Sequence, residues 1–263
     1  MVKMRFVLDQ NYSRTPELEN YLKSGNEIIF TDDFLVEPFK SKTATHAIYR
    51  NFEILRKFPS QVFATYDRGE LYRKELSICS PLKPDQLISS DRTEKVRHLL
   101  RLDKMSLNGV LTSIQSDSTN RIIYQANFLE KYIREGAQQV TEDIDKLNKI
   151  KSDRNQKLRY IQENSFQILE HILRENCLGK YDFEQFKINN SIIFSFNYIL
   201  LWRKVEWAIK NGFQNAKKSI HGDSFDIKYV LIACFFDGIM TKEEWLKQCR
   251  EDTLSNFTKL SKS

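Results

Sequence analysis

Phe225-Asp226-Ile227-Lys228-Tyr229-Val230-Leu231-Ile232-Ala233-Cys234-Phe235-Phe236-Asp237-Gly238-Ile239-Met240-Thr241-Lys242-Glu243 decides how this chain folds. It reads as an acidic residue opening an apolar helix, then a short apolar strand that ends in Thr-x-Glu. Near the other terminus, Arg5-Phe6-Val7-Leu8-Asp9-Gln10-Asn11 is an apolar strand running into an acid. Two strand-end acids more than two hundred residues apart predict a sheet that closes the chain on itself, with carboxylates gathered at its strand ends.

The residues after Asp9 support a parallel sheet. Met4–Leu8 reads as a buried strand, and Thr15–Ser24 as a short helix with Pro16 at an early helical position. Ile28-Ile29-Phe30, within Asn26–Thr31, gives a second strand, and Asp32–Phe39 a loop or short helix. His46–Phe58 is an amphipathic helix with Ala47, Ile48, Phe52, Ile54 and Leu55 on its apolar face, ended by Pro59. Val62–Tyr66 is a third strand. Strands alternating with helices are the pattern of an α/β unit.

The pattern changes near Ser89. From there to Gly212 no strand is predicted, and Ser90-Asp91-Arg92-Thr93-Glu94 starts a helix with an acid in its first turn. Gln139–Glu175 reads as one long helix, roughly 55 Å at about 1.5 Å per residue. Its steps of four and three from Val140 to Ile172 give a heptad-like stripe, interrupted by Lys151, Arg154 and Ser165. This suits packing against neighbouring helices. Ser191–Lys210 is apolar on several sides and is expected to be buried, with Gly212 as its stop. His221-Gly222-Asp223 reads as a loop before the Asp226 helix. The expected architecture is α/β: a core from residues 1–88 and 213–263, with a helical region, 89–212, inserted between.

Composition agrees. Among 263 residues, 8 are glycine and 5 proline, which disfavours an all-β fold with many tight turns. No apolar run reaches membrane-spanning length and no targeting segment opens the chain, so a cytoplasmic protein without a membrane partner is expected. The cysteines at 79, 177, 234 and 249 form no CxxC pair, which predicts buried free thiols in place of a structural zinc site. A net charge of +6 and a pI near 9.0 point modestly toward polyanions.

The terminal segments resemble the PIN-domain family of metal-dependent nucleases. In that family the first strand ends in Asp-x-Asn, as Leu8-Asp9-Gln10-Asn11 does here. A second acid follows the second strand, matched by Glu37 in Asp33-Phe34-Leu35-Val36-Glu37-Pro38-Phe39-Lys40. A third opens a late helix with a small residue inside it, matched by Asp226 and Ala233. The last strand ends in Thr-x-Asp or a variant, matched by Thr241-Lys242-Glu243, fifteen residues after Asp226 for the Thr. The run Tyr49–Pro59 is similar to a helix of some PIN-like subfamilies. The resemblance covers about half the chain and departs twice: the fourth acid is Glu, and the helical insertion is large.

What the resemblance implies is a PIN-like core hydrolysing phosphodiester bonds with Mg²⁺ or Mn²⁺, RNA favoured over DNA, in a setting such as toxin–antitoxin or anti-phage defence. Its metal ligands and catalytic acids are Asp9, Glu37, Asp226 and Glu243, with Asn11, Lys40 and Thr241 in support. The chemistry needs such residues: hard cations take oxygen ligands, and clustered carboxylates repel one another without one. Strand carboxyl ends in a parallel sheet share one crevice.

Each residue also has an ordinary structural reading. Asp9 is a turn residue after a strand, Asp226 a helix cap, and Glu243 a solvated acid. Glu53, Asp223 and Asp237 are rivals for the assigned positions. A PIN-like module that binds nucleic acid or a protein without cutting is the alternative, as is association of copies through the helical insertion. The basic residues Lys146, Lys149, Lys151, Arg154, Lys157 and Arg159 could meet a phosphate backbone, but Asp143, Asp145 and Asp153 are interleaved. Arg92 and His98, with five residues between them, are similar to the motif of metal-independent HEPN ribonucleases, which requires both on one exposed helical face.

Overall fold

The computed structural model describes residues 3–32, 34, 44–113, 120, 124, 153–210 and 220–260; side chains at 44, 208–210, 220–224 and 258–260 are not considered. Its centre is one four-stranded, all-parallel sheet. The strands are β1 (Arg5–Leu8), β2 (Glu27–Phe30), β3 (Val62–Ala64) and β4 (Gly238–Met240), in the order β3-β2-β1-β4. Strands distant in sequence therefore pair, β1 inside the sheet with β4 at its edge. Val7 lies opposite Ile29 on one side and Ile239 on the other. Buried parallel strands carry apolar residues on both faces, which is why Phe6–Leu8, Ile28–Phe30, VFA and GIM read as continuous apolar runs. Gly238 begins β4 because a Cβ there would lie 3.1 Å from the Phe6 ring.

Helix α1 (Pro16–Lys23) links β1 to β2. It is capped by Thr15, whose hydroxyl accepts from the Leu18 N–H, and Pro16 opens it as expected. Helix α2 (Ala44–Asn51) precedes β3. It buries Ile48 and is followed by buried Phe52, Ile54 and Leu55, but the regular helix stops at Asn51 and the chain tightens to a 3₁₀ turn at Leu55–Lys57. The predicted helix to Phe58 is thus shorter than its apolar pattern. Pro59 disfavours helical geometry at the residue before it, and Phe58 takes φ −135°.

Helix α3 (Arg68–Ile78) starts with a reciprocal cap between Asp67 and Glu70. Helix α4 (Ser90–Arg101), capped by Ser89, lies along β3. It covers an edge that would otherwise be open to pairing. The Ala64 N–H donates to Thr93 Oγ1 at 3.0 Å, Ser89 N–H to the Ala64 carbonyl at 2.9 Å, and Arg97 Nε to the Val62 carbonyl at 3.1 Å.

Helix α5 (Arg154–Cys177) corrects the long helix predicted from Gln139. Asp153 is extended, at φ −123° and ψ 103°, and its carboxylate accepts from the N–H groups of Asn155 and Gln156. The helix begins there, because Asp at that position competes for the first free N–H groups. The segment 139–152 lies outside the described residues. The buried stripe is Ile161, Ser165, Leu169, Leu173 and Cys177, in steps of four in place of a heptad. Such a ridge packs against another helix in a globular core, here α7 (Ile192–Lys210). The short α6 (Phe183–Ile188) lies between them in sequence.

Helix α7 is buried around nearly its whole circumference, as its composition predicts. Helix α8 (Ile220–Ala233) packs against β1, β4 and α7, and α9 (Glu244–Leu260) packs against α7 and α8. The expected loop at His221–Asp223 is helical, so Asp226 sits in the second turn of α8 and does not open it. Burial of Phe225 and of Ile227 through Cys234 stabilises this helix enough to extend it through Gly222, whose helical penalty is about 1 kcal/mol. Buried apolar residues of the sheet, of α5, α7, α8 and of α9 form one continuous core.

Glu75 ties these parts together. It is on α3 and wholly buried, and it reaches the start of α7. Its carboxylate accepts from the N–H groups of Ile192 at 3.0 Å, Ile193 at 2.8 Å and Leu82 at 3.2 Å, and from the Ser191 hydroxyl at 2.9 Å. A negative charge at a helix N-terminus satisfies free donors and complements the helix dipole. Burial pushes this carboxyl's pKa up against the pull of those four donors.

Candidate active site

The register of the sheet aligns four residues just past the strand ends. Leu8 pairs with Met240, and Phe30 with Ala64. Continuing one step places Thr65, Thr31, Asp9 and Thr241 in one row across the carboxyl edge, one per strand in sheet order. All four are buried: 0% exposed at Thr65, 3% at Thr31, 4% at Asp9 and 2% at Thr241. A buried polar row at this edge is where an α/β sheet presents chemistry.

Asp9 is the row's only carboxylate. Its Oδ2 accepts from the Thr241 hydroxyl at 2.6 Å, and its Oδ1 accepts from the Asn11 N–H at 3.3 Å, closing a turn that starts a 3₁₀ helix at Gln10. Thr241 Oγ1 in turn accepts from the Glu243 N–H at 3.0 Å. Asn11 Oδ1 accepts from the Lys242 N–H at 3.1 Å, stitching the chain after β1 to the chain after β4. The Asp9 N–H completes the ladder on the Met240 carbonyl. So Asp9, Asn11, Thr241 and the backbone at Lys242 and Glu243 come together at this edge.

The remaining acids stand differently. The Glu243 side chain is exposed beside this cluster, and Asp226 is half-buried on α8. Asp9, Asp226 and Glu243 do not by themselves make a metal-holding group, and among the described residues no three of His, Cys, Asp and Glu do. Glu37 and Lys40 lie outside the described residues. Asp237 is removed as a rival: it is exposed at the opposite edge of the sheet, where Oδ2 accepts from the Arg5 N–H at 2.6 Å. Glu53 is exposed past the end of α2, and Asp223 lies within α8. Arg92 and His98 both lie on α4, but six positions at about 100° each set them roughly 120° apart around it. Arg92 Nη2 is also engaged by Asp67 at 3.0 Å and Glu70 at 2.7 Å.

Two groups at this edge escaped the sequence reading. Thr31 read as the end of the second strand, and Thr65 as a residue within the third. Asp32, whose side chain is 5% exposed, pairs with buried Lys228 of α8 at 3.4 Å, which fastens that helix to the end of β2. The repeated pattern of an apolar run followed by Asp or Thr, at Leu8-Asp9, Phe30-Thr31, Ala64-Thr65 and Met240-Thr241, was the available signal.

As an oxygen donor, Asp9 suits a hard divalent cation. Its carboxylate accepts from at least the Thr241 hydroxyl and the Asn11 N–H. Among the described residues no helix is long and apolar enough to cross a membrane. Comparison with protein-family models, with curated proteins and with solved structures finds no match to this chain.

Proposed function

We propose that the chain is a PIN-like nuclease that hydrolyses phosphodiester bonds with Mg²⁺ or Mn²⁺. The observation that carries this is Asp9, buried at the carboxyl end of a central parallel strand and fixed by a hydroxyl from the neighbouring strand. A turn residue without a task at that place has no need of a buried, oriented carboxylate. Asp9 would hold the metal, with Glu37, Asp226 and Glu243 as the other acids of the set. The bound ion would neutralise phosphoryl charge and acidify water.

The chain's own contributions follow from the contacts. Thr241 holds Asp9 Oδ2 in one orientation. Asn11 keeps the two strand-end loops at a fixed distance. RNA is the favoured substrate by family resemblance, and the net charge of +6 suits either nucleic acid. Recruitment through the helical region, by a protein or a second copy, belongs to the same proposal.

The test is cleavage of end-labelled single-stranded and structured RNA, and of single-stranded DNA, by the full chain with Mn²⁺. Cleavage that EDTA stops and Asp9→Asn reduces to background supports the reading. Mn²⁺ should also raise the melting temperature of the wild type and not of Asp9→Asn, since binding to the folded state stabilises it. No cleavage and no Mn²⁺ shift would sink it. A second reading, a module that binds nucleic acid without cutting, is favoured by the engagement of both Asp9 oxygens with protein donors. RNA retention without cleavage selects it.

A further inference from the structure

Two of the four cysteines meet at one backbone oxygen. Cys79 caps the end of α3 and Cys177 is the last residue of α5, so they come from parts of the chain nearly a hundred residues apart. The Cys79 Sγ–H donates to the Leu76 carbonyl at 3.2 Å, and the Cys177 Sγ–H donates to the same carbonyl at 3.8 Å. A carbonyl shared by two thiols brings their sulfurs side by side. The Cys79 sulfur is close enough to add to the rise that burial imposes on the Cys177 thiol's pKa.

The pair is built unevenly. Cys79 is half-buried, whereas Cys177 is 3% exposed. Their chain neighbours Ile78 and Leu178 are 50% and 84% exposed, so the pair lies just beneath the surface. Cys79 also sits in the left-handed region, at φ 49° and ψ 38°. Helices ordinarily place glycine there, because a Cβ is costly in that conformation. The backbone therefore gains nothing from a cysteine at this cap. The other two thiols, Cys234 and Cys249, are both buried.

We infer that Cys79 and Cys177 form a peroxide-responsive pair, in which Cys79 is oxidised first and Cys177 closes a disulfide onto it. Hydrogen peroxide supplies the oxidising equivalents. Its O–O bond breaks as one oxygen joins the Cys79 sulfur, giving the sulfenic acid, and the other leaves as water with the thiol's proton. The Cys177 sulfur then attacks the Cys79 sulfur. The S–O bond breaks, and the hydroxyl takes the Cys177 proton and leaves as a second water. The two thiols lose two electrons and the peroxide gains them. A dithiol such as dithiothreitol reverses the bond by exchange. Burial keeps Cys177 protonated at neutral pH, which leaves the half-buried Cys79 to meet the oxidant. The bond would tie the end of α3, one turn after Glu75, to the end of α5, and both helices pack against α7.

The test is peptide mapping by mass spectrometry of the full, folded chain after a few equivalents of hydrogen peroxide, digested without reductant. The expected product is a peptide joining Cys79 to Cys177 with the loss of two hydrogens, absent after dithiothreitol, while Cys234 and Cys249 stay free thiols. Cys177→Ala should stop the reaction at the Cys79 sulfenic acid, which dimedone labels. Cys79→Ser, a change at the half-buried site, should leave Cys177 unoxidised at the same dose and keeps the test decisive if Cys177→Ala folds poorly. The inference is overturned if no Cys79–Cys177 peptide forms, if the disulfide joins two copies of the chain, or if Cys177 is oxidised equally in Cys79→Ser.

Discussion

Thr31 and Thr241 stand two places apart in one buried row, and replacing each by valine should have opposite consequences. Valine keeps the branched shape and removes only the hydroxyl's hydrogen bonds. At Thr241 that hydroxyl donates to the Asp9 carboxylate at 2.6 Å and accepts from the Glu243 N–H at 3.0 Å. A bond to a charged group contributes about 1.5–3 kcal/mol. Glu243 is exposed, so water replaces the second bond at little cost. Thr241→Val should therefore lose about 2–3 kcal/mol, which for a domain of this size lowers the melting temperature by roughly 4–10 °C. Thr31 Oγ1 is equally buried but unpartnered, so its polar burial is uncompensated. Thr31→Val should be neutral or stabilising by up to about 1 kcal/mol. The assay is urea unfolding followed by circular dichroism, which gives both midpoint and slope; equal slopes confirm that only stability changed. Equal losses in the two variants would refute the reasoning, because they would show that strand-end threonines matter for shape and not for the partner of the hydroxyl.

Three further outcomes follow from the contacts. Glu75→Gln turns an amide NH₂ toward two of the four donors around Glu75 and should destabilise the protein by about 2 kcal/mol, read as a fall in melting temperature at pH 7. Because burial raises the Glu75 pKa, its contribution is fully present below the ordinary glutamate range and fades as pH rises through the folded value, so the wild type's advantage over Gln should widen toward acid. Asp67 has the opposite sign: burial pushes it up, but the Glu70 N–H and the Arg92 guanidinium outweigh that and hold it below the usual range. Its stabilisation is present above about pH 4 and lost as pH falls through the lower folded value, so Asp67→Asn should flatten the acid limb of the stability profile. Burial pushes the Cys177 and Cys234 thiols up to about 12 and Cys249 well above its ordinary value, so these three should react with a thiol reagent at pH 7.5 only after unfolding.

The strands were legible because each contains a short apolar run, and the Asp9–Thr241 pairing was legible because both runs end in a polar residue of distinctive type. Thr31 and Thr65 were not, since a threonine at or near a strand end looks the same whether it only belongs to the strand or joins a row across the sheet. Only the register separates the two. The break at Asp153 was written locally, as an acid before two free N–H groups, and was overridden by a long periodic pattern around it. The start of α8 failed in the other direction: Gly222 and His221 have loop character, yet the helix is held by packing that local propensity does not contain. Glu75 was invisible for the same reason. On α3 it is one of several charged positions, and what buries it is a helix start 117 residues away.

That contact bears on how the site end of the sheet is supported. Asp9 is oriented by β4, and β4 follows directly from α8, which is fastened to β2 by Lys228 and Asp32 and to α7 by packing. Helix α7 is in turn capped by Glu75 from α3, next in sequence to β3. The chain of contacts therefore runs from one edge strand through the helical region to the other edge strand, and both routes end on the row Thr65-Thr31-Asp9-Thr241. A loosened cap at Glu75 should be felt there, through α8, as poorer orientation of Asp9 and not merely as lost stability. If the proposed chemistry is present, Glu75→Gln should reduce the Mn²⁺-induced rise in melting temperature as well as the melting temperature itself. A variant that lowers the second and leaves the first intact would show that the helical region supports the fold without supporting the site.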